Sequence, residues 1–162
     1  MKIMSTVVWI SLIVLVGAAV ASFWFVYSPH PVGAIVAIGD GLASVKVEVA
    51  ASPLARMRGL SGHAPLGPDE GMLFLFSSSQ KYSFWMKDMK FPIDIIWIDG
   101  TRIVDITEDV PAPSGQGALP TFRPKQAANA VLEVNAGYAR QHGLAAGLTV
   151  SVVGIDGKPV VR

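Results

Sequence analysis

The most uniformly apolar stretch of the chain is its beginning. Residues 3–27 contain no charged side chain. A helix of this length reaches roughly 37 Å, whereas the hydrocarbon core of a bilayer is about 30 Å thick. Residues 1–28 therefore predict one transmembrane helix with its flanks. Lys2 is the only Lys or Arg before Lys46, so the positive-inside rule places the N-terminus in the cytoplasm and the rest of the chain outside it.

A second interpretation of this stretch is a signal peptide that is cleaved. Residues 19–21 read Ala-Val-Ala, a small-residue cleavage pattern that would release the domain near Ala21. The apolar run nevertheless continues through Phe23, Trp24 and Phe25, and aromatic residues there are typical of the interface belt of a retained helix. The favoured prediction is a single-pass protein of the inner (cytoplasmic) membrane with its domain on the periplasmic or extracellular side. Cleavage would instead give a periplasmic or secreted protein.

The rest of the chain divides into a linker and a domain. Residues 29–42 are rich in proline and glycine and predict a linker, which leaves residues 43–162 for the domain. The domain opens on residues 43–50, where valines alternate with polar or charged side chains, as in a half-buried strand. Ser52 before a proline then predicts the N-cap of a short helix over residues 53–58.

The remaining elements are predicted from short apolar runs between turn residues. The runs cover residues 71–76, 82–86, 93–98, 101–108, 130–134, 148–153 and 159–161, with hairpin turns at Asp99–Gly100 and Asp156–Gly157. Ser77–Ser79 predicts a turn, residues 110–124 an irregular loop, and Asn135 the cap of a second helix over residues 136–142. Strands outnumber helices, which predicts an α+β, mainly β fold. It is an antiparallel, curled or barrel-like sheet with one or two short helices, preceded by one N-terminal transmembrane helix.

Composition and charge exclude several classes of protein. Hydrophobic residues make up 51% and charged residues 15% of the chain, which excludes intrinsic disorder. After Lys2 the 12 basic residues balance the 12 acidic ones, so no electrostatic footprint for nucleic acid is present. The chain has no cysteine, and His63 and His142 are too far apart in sequence to suggest a metal site. No cofactor or metal is therefore predicted.

Five motifs occur in order along the domain. They are residues 56–62 (RMRGLSG), 71–74 (GMLF), 84–87 (FWMK), 92–96 (PIDII) and 131–137 (VLEVNAG). In this order they resemble the family called domain of unknown function 192, over about residues 45–153. The resemblance implies a compact, mainly β domain with small helices and implies no activity. The family often has arginine where His63 stands and Asn-Thr where Asp88 and Met89 stand, so a ligand of relatives would not carry over directly.

Asp94 is a carboxyl group within an apolar run, where an unpaired charge is costly. Lys87 lies one connection away and is a candidate partner. Asp94 is then either a pocket carboxylate that anchors a ligand or acts as a general base, or a hydrogen-bonded residue that fixes the Phe91–Pro92 corner. The structural role is favoured.

Glu133 raises the same question in the run Val131–Val134, and Arg58 is its candidate partner because arginine pairs with carboxylates in bidentate fashion. One interpretation is that Asp94 and Glu133 form a carboxylate pair flanking a cleft, as in glycoside hydrolases. The favoured alternative is that Glu133 and Arg58 clamp the first helix to the sheet.

Aromatic residues gather on two neighbouring strands and predict either core or a stacking platform for a flat ligand. Core is favoured for Phe84 and Trp97. For Trp85 the two interpretations are equal, because Lys87 shares its face at a period of two.

Three functions remain open at this point. The favoured one is a membrane-anchored, extracytoplasmic module that binds a small molecule or an envelope component without catalysis. Its candidate ligand-binding residues are Arg58, Trp85, Lys87, Asp94 and Glu133. The alternatives are an envelope-polymer hydrolase with Asp94 and Glu133 as catalytic residues, and a structural domain that docks on a protein partner.

Overall fold

Three apolar runs of the sequence form central strands of a curled sheet. Their side chains are buried on both faces of this sheet. The computed structural model of the chain describes residues 33–115 and 119–158, which all lie in one unit, residues 31–162. The elements in chain order are β1 (Ala34–Ile38), β2 (Ala43–Ala50), α1 (Pro53–Arg58), β3 (Glu70–Gln80), β4 (Phe84–Trp85), β5 (Ile93–Asp99), β6 (Arg102–Val110), β7 (Thr121–Phe122), β8 (Ala128–Asn135), α2 (Tyr138–Gln141) and β9 (Val150–Gly154). A single 3-10 turn, Gly39–Gly41, joins β1 to β2.

The strands of the described residues form one large sheet and one small ribbon. The large sheet has seven strands in the order β6-β5-β8-β3-β2-β1-β9, and β4 pairs with β7 in the ribbon. Strands β2 and β3 run parallel, whereas the other pairs are antiparallel. The prediction of a wholly antiparallel sheet is therefore wrong at this pair. The reason is the connection through α1, which returns the chain to the end of the sheet from which β3 must start.

The two outermost strands of the sheet, β6 and β9, meet at one end. The amide of Ile103 donates to the carbonyl oxygen of Leu148 at 3.0 Å, and Arg102 and Thr149 form an antiparallel bridge. We call this contact the seam. It curls the sheet into a half-barrel, so the predicted mainly β fold with a curled sheet and two short helices is confirmed.

The sheet separates two apolar clusters. Because successive side chains of a strand point to opposite faces, each apolar run supplies both clusters. The first face carries Leu73, Ile96 and Leu132 and is covered by α2, which buries Tyr138 and Ala139 there. The second face carries Met72, Phe74, Ile95, Trp97 and Val131 and packs against Leu60, Met86, Met89 and Phe91. Burial on both sides explains why these runs lack polar alternation.

Several element boundaries differ from the prediction. β1 lies inside the segment predicted as a linker, and β7 lies inside the predicted loop of residues 110–124. Ser77–Ser79 is not a turn, because β3 continues as an exposed strand to Gln80. Polar residues on a strand that leaves the core look like a turn in sequence, since both lack apolar side chains.

The first helix was predicted correctly and the second only in part. α1 spans Pro53–Arg58, and the Ser52 hydroxyl accepts the amide of Ala55 at 3.2 Å. α2 begins only at Tyr138, and Asn135 does not cap it. The Asn135 amide group instead donates to the carbonyl oxygens of Leu66 and Gly67, at 3.1 and 3.0 Å.

Two predictions fall outside the described residues. These are the anchor over residues 3–27 and the last short strand over residues 159–161. Within residues 33–115 and 119–158, no helix combines the length and the apolar character needed to cross a membrane.

Candidate functional site

Glu133 is a buried carboxyl group in the middle of the second face. It lies on β8 opposite Met72 of β3 and Ile95 of β5, and partners in register share a face. The residue is only 5% exposed. Across residues 33–115 and 119–158 its carboxyl group has no hydrogen-bond or ion-pair partner. Its carboxyl oxygens are not among the fully enclosed polar atoms without a partner in these ranges, so they face the open space of a cavity.

The burial of Glu133 changes its protonation. Desolvation raises the pKa of the Glu133 carboxyl from 4.5 to about 8, because the charged form loses its water. At neutral pH the group is therefore mostly a neutral acid, with one O–H that can donate and a carbonyl oxygen that can accept.

A cavity of about 210 Å³ adjoins Glu133. One side of it is formed by the end of α1 and the turn that follows, residues 56–61. The other side is formed by residues 82–85, and Phe74, Phe76 and Met89 complete the lining. The structure thus brings Arg58, Trp85 and Glu133 of the predicted site together in one cavity.

Aromatic rings make up much of the cavity lining. The rings of Phe76 and Tyr82 stack with their centroids 3.7 Å apart, and Phe84 meets Phe74 edge to face at 5.0 Å. Trp85 lines the cavity with 54% of its surface exposed, so it lies at the mouth. Trp97 is fully buried, and its indole N–H donates to Thr107 at 3.0 Å, as a core residue requires.

Arg56, which the sequence analysis did not single out, attaches α1 to the sheet. One guanidinium nitrogen donates to the carbonyl oxygen of Ala51 and to that of Leu75, the latter at 2.8 Å. The guanidinium also lies over the Phe76 ring, 5.0 Å from its centroid. Among residues 33–115 and 119–158 Glu133 forms no ion pair, and Arg56 holds the helix through backbone carbonyls, so the predicted clamp between Arg58 and Glu133 is wrong in its residues.

Asp94 lies on the opposite side of the sheet from Glu133. It pairs in register with Val134, which belongs to the first face. Its carboxylate is fully buried and accepts three backbone amides, from Asp109, Gly137 and Ala139, at 2.8, 3.1 and 2.9 Å. The structure therefore does not bring Asp94 to the cavity.

Lys87 also stays apart from the cavity. It is exposed in the turn after β4, and within the described ranges it forms no ion pair with Asp94. Its backbone carbonyl accepts the Ser61 hydroxyl at 2.7 Å, which links this turn to the turn after α1. The predicted pairing of Lys87 with Asp94 is thus wrong, because backbone amides already occupy that carboxylate.

A second depression, of about 400 Å³, lies beside α2. Its lining includes Asp69, Tyr138 and His142, with the last two rings stacked 4.2 Å apart. Burial and the nearby Asp69 carboxylate raise the pKa of Tyr138. In the part of the chain that the structure describes, no group of three or more His, Asp or Glu side chains is placed to hold a metal ion.

Comparisons with known proteins identify a family and two similar solved structures. The DUF192 family model, described as an uncharacterised ACR, matches residues 34–152. No curated protein matches the chain. A solved structure from Novosphingobium aromaticivorans DSM 12444, of unknown function, is 27% identical with a TM-score of 0.65, over 76% of this chain and 90% of that one.

A second solved structure comes from Sinorhizobium meliloti 1021, where the protein has a provisional description as a transcription regulator. It is 28% identical with a TM-score of 0.63, over 75% of this chain and 92% of that one. The family model covers most of the chain, including β1 to β8 and both walls of the Glu133 cavity. The chain therefore belongs to the DUF192 family, whose function is unknown.

Proposed function

We propose that this domain binds a small organic molecule in the Glu133 cavity. The observation that supports the proposal is a buried carboxyl group that lines a cavity with aromatic walls and has no partner among the described residues. Binding sites for small molecules combine an apolar, aromatic lining with a few polar groups that fix orientation. A ligand that pairs with Glu133 would offset the cost of burying it.

A hydrolase with a carboxylate pair has no geometric support. Such enzymes need two carboxyl groups on either side of one bond, at most roughly 10 Å apart in a common cleft. Asp94 and Glu133 point to opposite faces of the sheet, and three amides already occupy Asp94. Glu133 alone is suited to binding.

A second candidate function is docking to a protein partner. Leu54, Met57 and Trp85 are 70%, 63% and 54% exposed, and two of them line the mouth of the cavity. Exposed apolar side chains that gather in one place are typical of interaction sites. Leu54 does not line the cavity, so it separates the two functions.

Replacing Trp85 with alanine tests binding in the cavity. We expect Trp85→Ala to weaken the binding of fluorobenzene roughly five- to tenfold, because one aromatic wall of the site is removed. The melting temperature should change little, since the side chain is half exposed. Ligand-observed ¹⁹F NMR on the full-length chain measures the first quantity, and thermal unfolding the second.

Leu54→Ala is the matched control for this experiment. It removes an exposed apolar side chain of α1 outside the cavity and should leave fluorobenzene binding unchanged. Equal binding by wild type and Trp85→Ala would contradict a ligand site at this cavity. A large loss of stability in Trp85→Ala would return Trp85 to the core.

We also propose that residues 3–27 retain the domain at the inner membrane, on the periplasmic or extracellular side. The support is the uncharged apolar run and the lysine before it. The expected result is a full-length chain that stays with membranes in alkaline carbonate and is digested when protease is added from outside. A shortened chain in the soluble exported fraction, beginning after Ala21, would instead indicate a cleaved leader.

A further inference from the structure

We propose that the ligand of the Glu133 cavity is an uncharged, planar molecule about one ring in size, with a carbonyl group that accepts a hydrogen bond from Glu133. This inference rests on the proposed function, because it names the class of ligand for the same site. It follows from three properties of the cavity: the hydrogen-bonding state of its polar group, the charges around it and its volume.

The first property is the unused donor of Glu133. Its neighbours in register, Met72 and Ile95, are apolar and offer no acceptor to the acid. Within the part of the chain that the structure describes, one O–H of a neutral carboxyl group thus has no protein acceptor at the cavity. The complementary ligand group is an acceptor such as a carbonyl oxygen.

The second property is the charge around the cavity. The ionisable side chains that line it with Glu133 are Arg56, Arg58 and Tyr82. Two arginines oppose a cationic ligand, and a neutral Glu133 gives such a cation no counter-charge. The burial that keeps Glu133 protonated would also desolvate a carboxylate placed against it, and both arginines, which would attract such an anion, already have interaction partners. An uncharged polar group avoids both costs.

The third property is the size and shape of the space. A cavity of 150 Å³ in another protein holds benzene, so about 210 Å³ holds one ring with a small substituent. The stacked Phe76 and Tyr82 rings and the Trp85 side chain present flat apolar surfaces to it. Planar ligands pack well on such surfaces in offset or edge-to-face geometry.

Displacement of fluorobenzene from the full-length chain tests this inference. Benzamide carries a ring and a neutral carbonyl, benzylamine carries a ring and a cation at neutral pH, and benzoate carries a ring and an anion. We expect benzamide to bind at least roughly tenfold more tightly than benzylamine or benzoate. The reason is that benzamide gains one buried hydrogen bond and carries no charge that must be desolvated. Benzylamine or benzoate binding as tightly as benzamide would overturn the inference.

Two substitutions then assign the effect to Glu133. Glu133→Gln keeps a neutral donor of the same shape, so benzamide affinity should stay close to that of wild type at about pH 6. Glu133→Leu removes the donor and should lower the affinity for benzamide relative to that for fluorobenzene roughly tenfold. If Glu133→Leu bound benzamide as tightly as wild type, the carbonyl would not pair with Glu133 and the inference would fail.

The dependence on pH gives an independent readout. Between about pH 6 and pH 9 wild type should lose benzamide affinity about tenfold, since the donor is lost as Glu133 ionises around pH 8. Glu133→Gln should show no such loss. Tyr82→Phe is the control for the tyrosine that lines the cavity beside Glu133, Arg56 and Arg58. A profile that is flat in wild type contradicts the inference.

The binding of fluorobenzene distinguishes a failure of this inference from a failure of the proposed function on which it rests. If fluorobenzene does not bind the wild-type chain at all, the cavity is not a ligand site and the proposed function fails. If fluorobenzene binds but benzamide shows no preference and no dependence on Glu133, only the ligand class is wrong.

Discussion

Asp94 and Glu133 illustrate how strand register decides the role of a residue. Both are buried carboxyl groups on neighbouring strands, but they point to opposite faces of the sheet. Asp94 meets three amide groups on the first face, and Glu133 meets apolar side chains and a cavity on the second. The same chemical group therefore has a structural role in one place and a candidate binding role in the other.

The buried acid makes a prediction about stability and pH. Glu133 ionises near pH 4.5 in the unfolded chain but only near pH 8 in the folded one. Its contribution to the free energy of unfolding is thus fully present below about pH 4.5 and is lost as the pH rises towards 8. The loss amounts to at most about 5 kcal/mol, because each unit of pKa shift corresponds to about 1.4 kcal/mol.

The comparison of wild type with Glu133→Gln isolates the effect of Glu133 ionisation on the free energy of unfolding. Denaturant unfolding at a series of pH values should show wild type weakening relative to the variant between about pH 5 and pH 8, since the amide does not ionise. Other titrating groups are shared by the two proteins and cancel in the difference. A constant difference across this range would mean that Glu133 is ionised, and so partnered, in the folded protein.

At the scale of elements, hydrogen bonds between a side chain and the backbone attach both helices to the sheet. Arg56 joins α1 to β3 through the Leu75 carbonyl, and Asp94 of β5 accepts the amides of Gly137 and Ala139 at the start of α2. Helices of six and four residues are too short to be stable alone in water. Their geometry therefore depends on these attachments to the sheet.

Asp94→Asn tests the attachment of α2. An amide cannot present two acceptor oxygens to the three backbone N–H groups of Asp109, Gly137 and Ala139. We expect the free energy of unfolding to fall by roughly 3 kcal/mol, because hydrogen bonds to a charged group are among the stronger ones. Fluorobenzene binding by the folded variant should persist, since the cavity lies on the other face.

Asp156→Asn is a suitable control for this substitution. Asp156 is an exposed turn residue that accepts one backbone amide, so its change should cost less than about 1 kcal/mol. Denaturant unfolding measures both changes in the free energy of unfolding. Equal changes would contradict a structural role for Asp94.

Local patterns predicted the elements that depend on local signals. The alternation of residues 43–50, the Ser52 cap and the apolar run of residues 93–98 all gave elements at the right places. The parallel pairing of β2 with β3 and the separation of Asp94 from Glu133 are long-range features. They depend on which strands become neighbours and in which register, and neither is encoded in any short stretch.

The candidate site was predicted in part for the same reason. Arg58, Trp85 and Glu133 were singled out because their residue types stand out from their surroundings, and the fold places them in one cavity. Phe74, Phe76 and Arg56 were missed, since a phenylalanine in a buried strand or an arginine in a last helical turn is an ordinary residue there. The separation of Lys87 and Asp94 appears only once strand neighbours are known.

At the scale of the whole molecule, the seam determines whether the sheet is an open or a curled structure. Arg102 and Thr149 face each other there as a non-hydrogen-bonded pair. The hydrogen bonds run between their neighbours: the amide of Ile103 donates to Leu148, and that of Val150 donates to Thr101. Such a pair has its Cα atoms about 4.5 Å apart, within the range that a disulfide spans.

A disulfide across the seam is therefore expected to form and to stabilise the fold. The chain has no cysteine, so Arg102→Cys combined with Thr149→Cys gives a single possible pair. Closing a loop of about 50 residues stabilises by up to about 4 kcal/mol, through the lower entropy of the unfolded chain. Thermal unfolding of the oxidised and reduced double variant measures the gain.

The single variants Arg102→Cys and Thr149→Cys are the controls, because they contain the same substitutions without the bond. Their melting temperatures should not respond to reducing agent. If the double variant stays reduced under mild oxidation, or if oxidation lowers its melting temperature, the two strands do not meet as described.

The contact between the two ends of the sheet has a consequence when the domain is present at high concentration. An open strand edge offers a row of unpaired amides and carbonyls on which another chain can build, and this is how aggregates and fibrils begin. Here the amides of Ile103 and Val150 donate across the seam to the carbonyl oxygens of Leu148 and Thr101, and the Val104 carbonyl oxygen accepts the side chain of Gln126. A second copy of this domain therefore cannot add a strand at the seam, where these backbone groups are already paired.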